Sequence, residues 1–276
     1  MNDRYSGPQR PVARMVSWNV WWRFGTGWQH RQDTIAATLA DLEPDIVGLQ
    51  EAWATNGRSE SSLLADGFGF HSAFAGPSLP PVPRPPETPD QEGVELGVAV
   101  ISRWPIKHTW THLLPSSRPH PLVALVAVVE HPLGPLPVVS TCLEWEPSLA
   151  DDHLAQAQDL VELTDSLTER SSGDLPLVLL GDLNAPPQSP GIKVLTDAMV
   201  DSWSVSGDPE GVTLSSQNPF APHEATEQID RRIDYVLTRS ASDRPPPRVR
   251  RAFLAGTVPA EHPPSDHYAV VADIRL

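Results

Sequence analysis

The chain has 276 residues, enough for one large domain or two small ones, with a substantial buried core in either case. Its single cysteine, Cys142, excludes a disulfide framework and a Cys-rich zinc site, so any metal must be held by oxygen ligands and histidine, which favours a hard ion. The formal charge of -15, from 20 Lys+Arg against 35 Asp+Glu, counts against a general grip on nucleic acid and against standing attachment to anionic membranes, although a local basic cleft is compatible with it.

Met1 to Arg14 is polar and lacks the apolar segment of a secretory signal, so residues 1–11 are expected to be a disordered tail and the cytoplasm is the expected location. No apolar stretch is long enough to span a bilayer. The first strand is predicted over about Ala13 to Val20. A helix follows over about Gln29 to Leu42, where Ile35, Leu39 and Leu42 recur at helical spacing. Pro44-Asp45 ends it, and Ile46 to Leu49 reads as a short buried strand. A second helix is predicted over Ser59 to Asp66 and a strand over Phe70 to Phe74. Residues 76–93 hold seven prolines and read as a stiff surface loop, mobile rather than a lid because the segment carries no nameable chemistry.

Four strands in quick succession are then predicted: Leu96 to Ser102, Ile106 to Leu114, Leu122 to Glu130 and Pro137 to Leu143. Their short connections favour antiparallel pairing. A long helix is expected over Leu149 to Leu167, with Leu154, Leu160, Val161 and Leu167 on its apolar side. The strand Leu177 to Leu180 is followed by a short helix near Ile192 to Met199 and a polar loop from Ser204 to Gln228. Three strands close the chain: Arg232 to Thr238, Val249 to Leu254 and Tyr268 to Ile274. No linker divides two composition regimes, so residues 1–276 read as one α/β (α+β) domain. Two mostly antiparallel sheets packed face to face, with helices outside, account for this order.

The most informative segment is Gly181-Asp182-Leu183-Asn184-Ala185, which follows an apolar strand. Asp182 and Asn184, two apart on an extended backbone, share a side and can hold a water and a phosphoryl oxygen together. Alone the segment is also an ordinary strand-to-turn signal. Asn19 and Glu51 end the first two strands, and a carboxamide oxygen beside a carboxylate suits a hard metal. Asp266, just before the last strand, is placed to complete such a site. Each of these has a purely structural reading too: Asn19 as a turn former, Glu51 as a cap on the segment starting at Ala52. Asp234, between Ile233 and Tyr235-Val236, is either outward and inert or inward and paired. His267 is its natural partner, and the pair would orient the imidazole and favour its charged form. The other nine histidines lie mostly in loops or among prolines and read as surface residues.

Ser17-Trp18-Asn19-Val20, Leu49-Gln50-Glu51, Gly97 to Ile106, Gly181 to Asn184, Arg232 to Leu237 and Ser265-Asp266-His267 occur in that order. As an ordered set they resemble the endonuclease/exonuclease/phosphatase superfamily, the deoxyribonuclease-like phosphoesterases. The resemblance implies a four-layer α/β sandwich with its site at one edge of the paired sheets. It also implies hydrolysis of a phosphate ester with Mg2+ or Mn2+. By position, Asn19, Glu51 and Asp266 match the metal-site residues. Asp182 matches the group that orients or deprotonates the attacking water, Asn184 the one that binds a phosphoryl oxygen, and Asp234 with His267 the family's Asp–His pair.

Cys142 departs from the pattern. Many branches carry a histidine there that contacts phosphate and helps protonate the leaving oxygen, whereas a thiol is a weak donor and mostly neutral at pH 7. Glu144 would raise its pKa further if close. Of the tryptophans, alternation puts Trp18 in the core; Trp21, Trp22, Trp53 and Trp145 either line the mouth of the site or pack the strand ends. The expected substrate is a small phosphodiester or phosphomonoester. A nuclease is the alternative, disfavoured by net charge, and a catalytically weakened phosphate-binding member is the third reading, motivated by Cys142.

Overall fold

Near-continuous apolar runs let the central strands bury both faces of each sheet, one against the other sheet and one against helices. The structure is a computed structural model and describes residues 12–25, 27–120, 122–170, 175–208, 211–241, 243–257 and 263–276. The expected tail over residues 1–11 lies outside the described residues. In chain order the elements are β1 (Ala13–Asn19), α1 (Trp28–Leu42), β2 (Ile46–Thr55), β3 (Arg58–Ser59), α2 (Glu60–Phe68), β4 (His71–Ala75), β5 (Glu95–Ser102), β6 (Ile106–Leu114), β7 (Leu122–His131) and β8 (Gly134–Cys142). They continue with α3 (Ala150–Arg170), β9 (Leu177–Asp182), α4 (Pro190–Ala198), β10 (Val200–Asp201), α5 (Ser202–Ser206), β11 (Asp234–Arg239), β12 (Arg248–Ala255) and β13 (Ala269–Arg275).

One sheet runs β12-β13-β1-β2-β5-β4, with β3 beside β2; the other runs β10-β11-β9-β8-β7-β6. Pairing is antiparallel except for β1 with β2 and β8 with β9. The two parallel pairs lie at the centre, so the C-terminal ends of β1 and β2 face those of β8 and β9 across the stack. Val16, Trp18, Val47 and Leu49 pack with Ile35 and Leu39 of α1 and Leu64 of α2, while Met15 and Ile46 join the core between the sheets. Ala157 and Leu160 of α3, with Ile192 and Leu195 of α4, cover the second sheet. The result is the expected four-layer sandwich.

The sheets approach most closely where the sequence supplies glycine. A Cβ on Gly48 would stand 2.5 Å from Cβ of Leu180, so a hydrogen is all that fits between β2 and β9. Local signals also work as expected at α2, where Ser59 Oγ accepts from Ser62 N–H (3.1 Å) and Ser62 Oγ accepts from Ser59 N–H (3.0 Å).

Several expectations need correction. β2 does not stop at Leu49: after a register shift it continues through Ala52 to pair with β5, so Glu51 caps nothing. On α3, Leu154, Val161 and Leu167 are only half-buried, whereas His153, Gln156, Thr164 and Thr168 are buried with Leu160. The helix uses its buried face for hydrogen bonds; Gln156, for example, accepts from Glu144 N–H and donates to the Pro115 carbonyl. His153 and His131 are buried, not surface groups: one donates from Nε2 to the Leu183 carbonyl at 2.8 Å, the other packs edge-on to Trp104. The proline-rich segment is anchored as well, with Ser78, Leu79 and Gln91 buried and Leu79 packed in the main core. Short elements at Val200–Asp201 and Ser202–Ser206 were not expected. Among the described residues no helix is long and apolar enough to cross a membrane.

Replacing Gly48 by alanine forces Leu180 out of its place. The Gly48→Ala protein should be about 1–3 kcal/mol less stable in denaturant unfolding, the usual cost of overpacking, whereas an unchanged midpoint would mean that the sheets separate freely.

Candidate active site

One edge of the sandwich collects the strand ends. Asn19, the last residue of β1, pairs with Gln50 of β2, so Glu51 comes next along the rim. The β2–β5 register shifts between Leu49 and Ala52, and Glu51 has φ of 52°, in the left-handed region. This bulge swings its carboxylate to the rim instead of leaving it in the alternation of the sheet. In the second sheet Asp182 ends β9, beside Cys142 of β8 and opposite Asp234 of β11. Asp266 and His267 enter the same edge just before β13. Trp21, Trp22 and Asn184 also have positive φ, so four of the seven such non-glycine residues among the described ones sit at this rim. Strained backbone of this kind persists where the surrounding structure over-determines it.

All eight residues expected at the site meet there. Asn19 Nδ2 donates to Glu51 Oε1 at 2.8 Å and to Asp182 Oδ2 at 2.9 Å. Its oxygen accepts from Trp21 N–H at 2.9 Å, so Asn19 turns its N–H groups, not the expected oxygen, toward the carboxylates. His267 Nδ1 lies 3.0 Å from Asp234 Oδ2, which settles the position of Asp234 as inward and paired. Asn184 Nδ2 donates to the Leu143 carbonyl (3.1 Å) and to Cys142 Sγ (3.4 Å). The Cys142 thiol in turn points at the Leu143 carbonyl, 3.8 Å away.

Burial dominates the electrostatics. Glu51, Asp182 and Asp266 all have pKa values pushed above the ordinary carboxylate range by desolvation; Asp266 adds to the rise at Glu51, and Asp234 to that at Asp182. For His267, desolvation opposes the charged form, but Asp234, Asp266 and Asp182 together hold its pKa well above that of a free imidazole. Burial drives the Cys142 thiol far up, with Asp182, Glu51, Asp234 and Glu144 adding to it, so it stays protonated.

The donor set suits a hard divalent ion. Glu51 Oε2 is buried with no hydrogen-bond partner, an expensive state for a carboxylate that a cation would relieve. Asp182, Asp234 and His267 each offer a ligand atom within 4.8 Å of the others. There one Asp234 oxygen, Oδ2, and His267 Nδ1 already serve each other, while Asp234 Oδ1, like Glu51 Oε2, is buried without a partner.

A cavity of about 330 Å³ opens at this edge. Glu51, Cys142, Asp182, Asn184, Asp266 and His267 form its polar part; Trp21, Leu79 and Trp145 are among its apolar walls. Trp22 and Trp53 instead pack the strand ends in a separate cluster with Val94 and Leu96.

The sequence matches the Endonuclease/Exonuclease/phosphatase family over residues 16–267. The chain belongs to that family. Its members are metal-dependent phosphoesterases and nucleases, and this chain is an enzyme of that class. The same fold occurs in truncated TDP2 of Caenorhabditis elegans, which is 15% identical, with 96% of this chain and 98% of that chain covered and a TM-score of 0.73. It occurs in an endonuclease/exonuclease/phosphatase of Beutenbergia cavernae, 24% identical, with 96% and 72% covered and a TM-score of 0.72. It also occurs in the human Nocturnin catalytic domain with bound sulfate anion, 20% identical, with 96% and 94% covered and a TM-score of 0.73. A search of the curated proteins gives no match.

Supports that sequence reasoning missed come from the loop beyond α5. Thr213 Oγ1 accepts from the N–H groups of Ile233 (3.0 Å) and Asp234 (3.3 Å), and its carbonyl accepts from Tyr268 N–H (2.8 Å). Asn218 Nδ2 donates to the carbonyls of Ser265 (2.8 Å) and Asp266 (3.1 Å). Only the Asn218-Pro219 turn signal marks this stretch in the sequence, and it says nothing of what the loop touches.

Behind the rim, Glu60 is buried, and among the described residues its carboxyl accepts from Gln32 Nε2 (3.2 Å) and, at long range, from Trp53 N–H (3.4 Å). Burial raises its pKa to about 8 from 4.5. The folded protein therefore keeps a proton that the unfolded chain loses above pH 4.5, and the stability linked to that proton is complete below 4.5 and gone above 8. Glu60→Gln mimics the protonated form. Its thermal midpoint should match the parent near pH 4.5, exceed it increasingly up to pH 8 and hold a constant lead beyond. A lead independent of pH would refute the buried neutral carboxyl.

Proposed function

We propose that this family member hydrolyses small phosphodiesters or phosphomonoesters by in-line attack of water, with Mg2+ or Mn2+ as its ion. The observation that carries the reading is the meeting of Glu51, Asp182 and Asp266 with the Asp234–His267 pair at one rim. Glu51 and Asp266 would hold the ion, with Asn19 fixing Glu51 and Asp182 relative to each other. When bound, the ion supplies Lewis-acid polarisation of a phosphoryl oxygen and stabilisation of the leaving oxygen.

The chain's own groups do the rest. Asp182, buried and biased toward proton uptake, orients the attacking water and takes its proton. His267, kept charged by its acidic neighbours, donates a hydrogen bond to the phosphoryl group as negative charge builds. Asn184 spends one N–H on Cys142 Sγ, a weak acceptor, so a phosphoryl oxygen can take that donor at little cost.

A nuclease is the second reading, favoured by the family assignment and opposed by the charge of -15. A steep loss of activity with added salt would support it, because counterion release scales with phosphate contacts. The neutral, buried Cys142 motivates the third reading, a phosphate binder with weak turnover.

Chelation should abolish hydrolysis, and Mg2+ or Mn2+ should restore it. Asp182→Asn should lower kcat by roughly 10²–10⁴, the worth of a positioned base. Full activity of that variant, or of metal-free protein, would sink the mechanism. Cys142→His should raise kcat for esters of poor leaving groups while leaving nitrophenyl esters unaffected. An equal response for both would show that leaving-group protonation is not limited by this position.

A further inference from the structure

Beyond its acidic floor, the cavity is walled by Trp21, Phe24, Leu79, Pro80, Trp145 and Leu214. Among the described residues no lysine or arginine lines it, and the one charged side chain outside the floor is Glu224, which is exposed. Arg248 and Arg250 stand on β12, the edge strand of the first sheet, and are not part of the cavity. A ligand with several phosphates would find no positive partner for the extra charges and would meet Glu224. The wall fits an uncharged apolar group attached to the one phosphate that reacts.

The aromatic walls are not equivalent. Trp21 is engaged inside the protein: Phe220 stacks on it with centroids 5.0 Å apart, and the Arg31 guanidinium lies 4.4 Å from its ring centre. Phe24 leans on Trp22 at 5.0 Å. Trp145 differs, with 39% of its surface exposed. Its main chain is nevertheless clamped on both sides. The N–H donates to Glu144 Oε1 at 3.0 Å, and the carbonyl accepts from Gln228 Nε2 at 2.7 Å. Glu144 is itself buried and gripped by the Arg118 fork at 2.6 and 2.7 Å. An open ring on a fixed backbone gives contact area at small entropic cost.

We propose that Trp145 determines specificity: its indole receives an apolar ring on the alcohol side of a singly phosphorylated ester. This rests on the phosphoesterase reading above and adds the class of ester. It also gives a use to the network of Arg118, Glu144 and Gln228, which lies outside the reacting groups. Ring stacking at an open platform of this kind is lost with the side chain, while the fold is not, since the ring is partly outside the core.

The test uses benzyl and ethyl phosphomonoesters, with the matching methyl phosphodiesters, at saturating Mg2+. The alcohols leave with similar difficulty, so the comparison isolates the ring. The native enzyme should favour the benzyl ester. Trp145→Ala should raise KM for that ester about 5- to 100-fold, with kcat nearly kept and ethyl-ester kinetics unaltered, and Trp145→Phe should recover most of the loss. Equal kcat/KM for the benzyl and ethyl esters in the native enzyme would overturn the proposal. So would equal damage to both by Trp145→Ala, or preference for a single-stranded oligonucleotide that the variant keeps. In each of those cases metal-dependent turnover survives, and only the role of Trp145 falls. Failure to hydrolyse any of these esters, with or without metal, overturns the phosphoesterase reading and removes the proposal with it.

Discussion

Glu51, Asp182, Asp234 and Asp266 are all buried around a single imidazole, His267. Removal from water raises the affinity of Glu51, Asp182 and Asp266 for protons, and at Glu51 and Asp182 repulsion from neighbouring carboxylates adds to the rise. No local sequence preference would bring them together. The rest of the scaffold has to hold them against that repulsion, and under the proposed function that excess of negative charge would hold a divalent cation, which in turn would draw in the phosphate. The acidic neighbours hold the His267 imidazole charged against its burial, whereas burial, with those neighbours adding to it, keeps the Cys142 thiol neutral.

What holds the charges is the stiffness of two close-packed sheets. Gly48 lets β2 meet Leu180 of β9 without a gap, which fixes the separation of the strand ends that carry Glu51 and Asp182. Asn19 ties those two carboxylates through one amide, and Ser265 Oγ donates to the Asn19 carbonyl at 2.7 Å, linking the approach to β13 with the end of β1. Thr213 and Asn218 then hold the backbone on either side of Asp234 and Asp266. Strain at Glu51 and Asn184 is confined to this framework, where many contacts oppose relaxation.

Much of this was legible beforehand, for specific reasons. Short apolar runs bounded by turn signals located nearly every strand, and the residues that end those runs are the ones that meet at the rim. Asp234 was ambiguous in sequence because an Asp between Ile and Tyr can face either way; its pairing with His267 decided it. Other features had no local signal. The buried face of α3 is partly polar because Gln156 and His153 satisfy backbone groups of distant segments, so hydrophobic spacing picked half-buried leucines instead. Proline density described how stiff residues 76–93 are, but not that Leu79 enters the core and the cavity wall.

By itself the sequence determined the family, the order of elements and the identity of the polar residues at strand ends, because alternation and turn chemistry are written in neighbouring residues. Only the tertiary structure decided how those groups use their hydrogen bonds. It assigned the Asn19 oxygen to Trp21 N–H, left Glu51 Oε2 unpartnered, and kept Trp145 open while drawing Trp22 and Trp53 inward. Each of those outcomes depends on atoms far along the chain competing for the same donor, acceptor or space, and that competition exists only once the sheets have stacked.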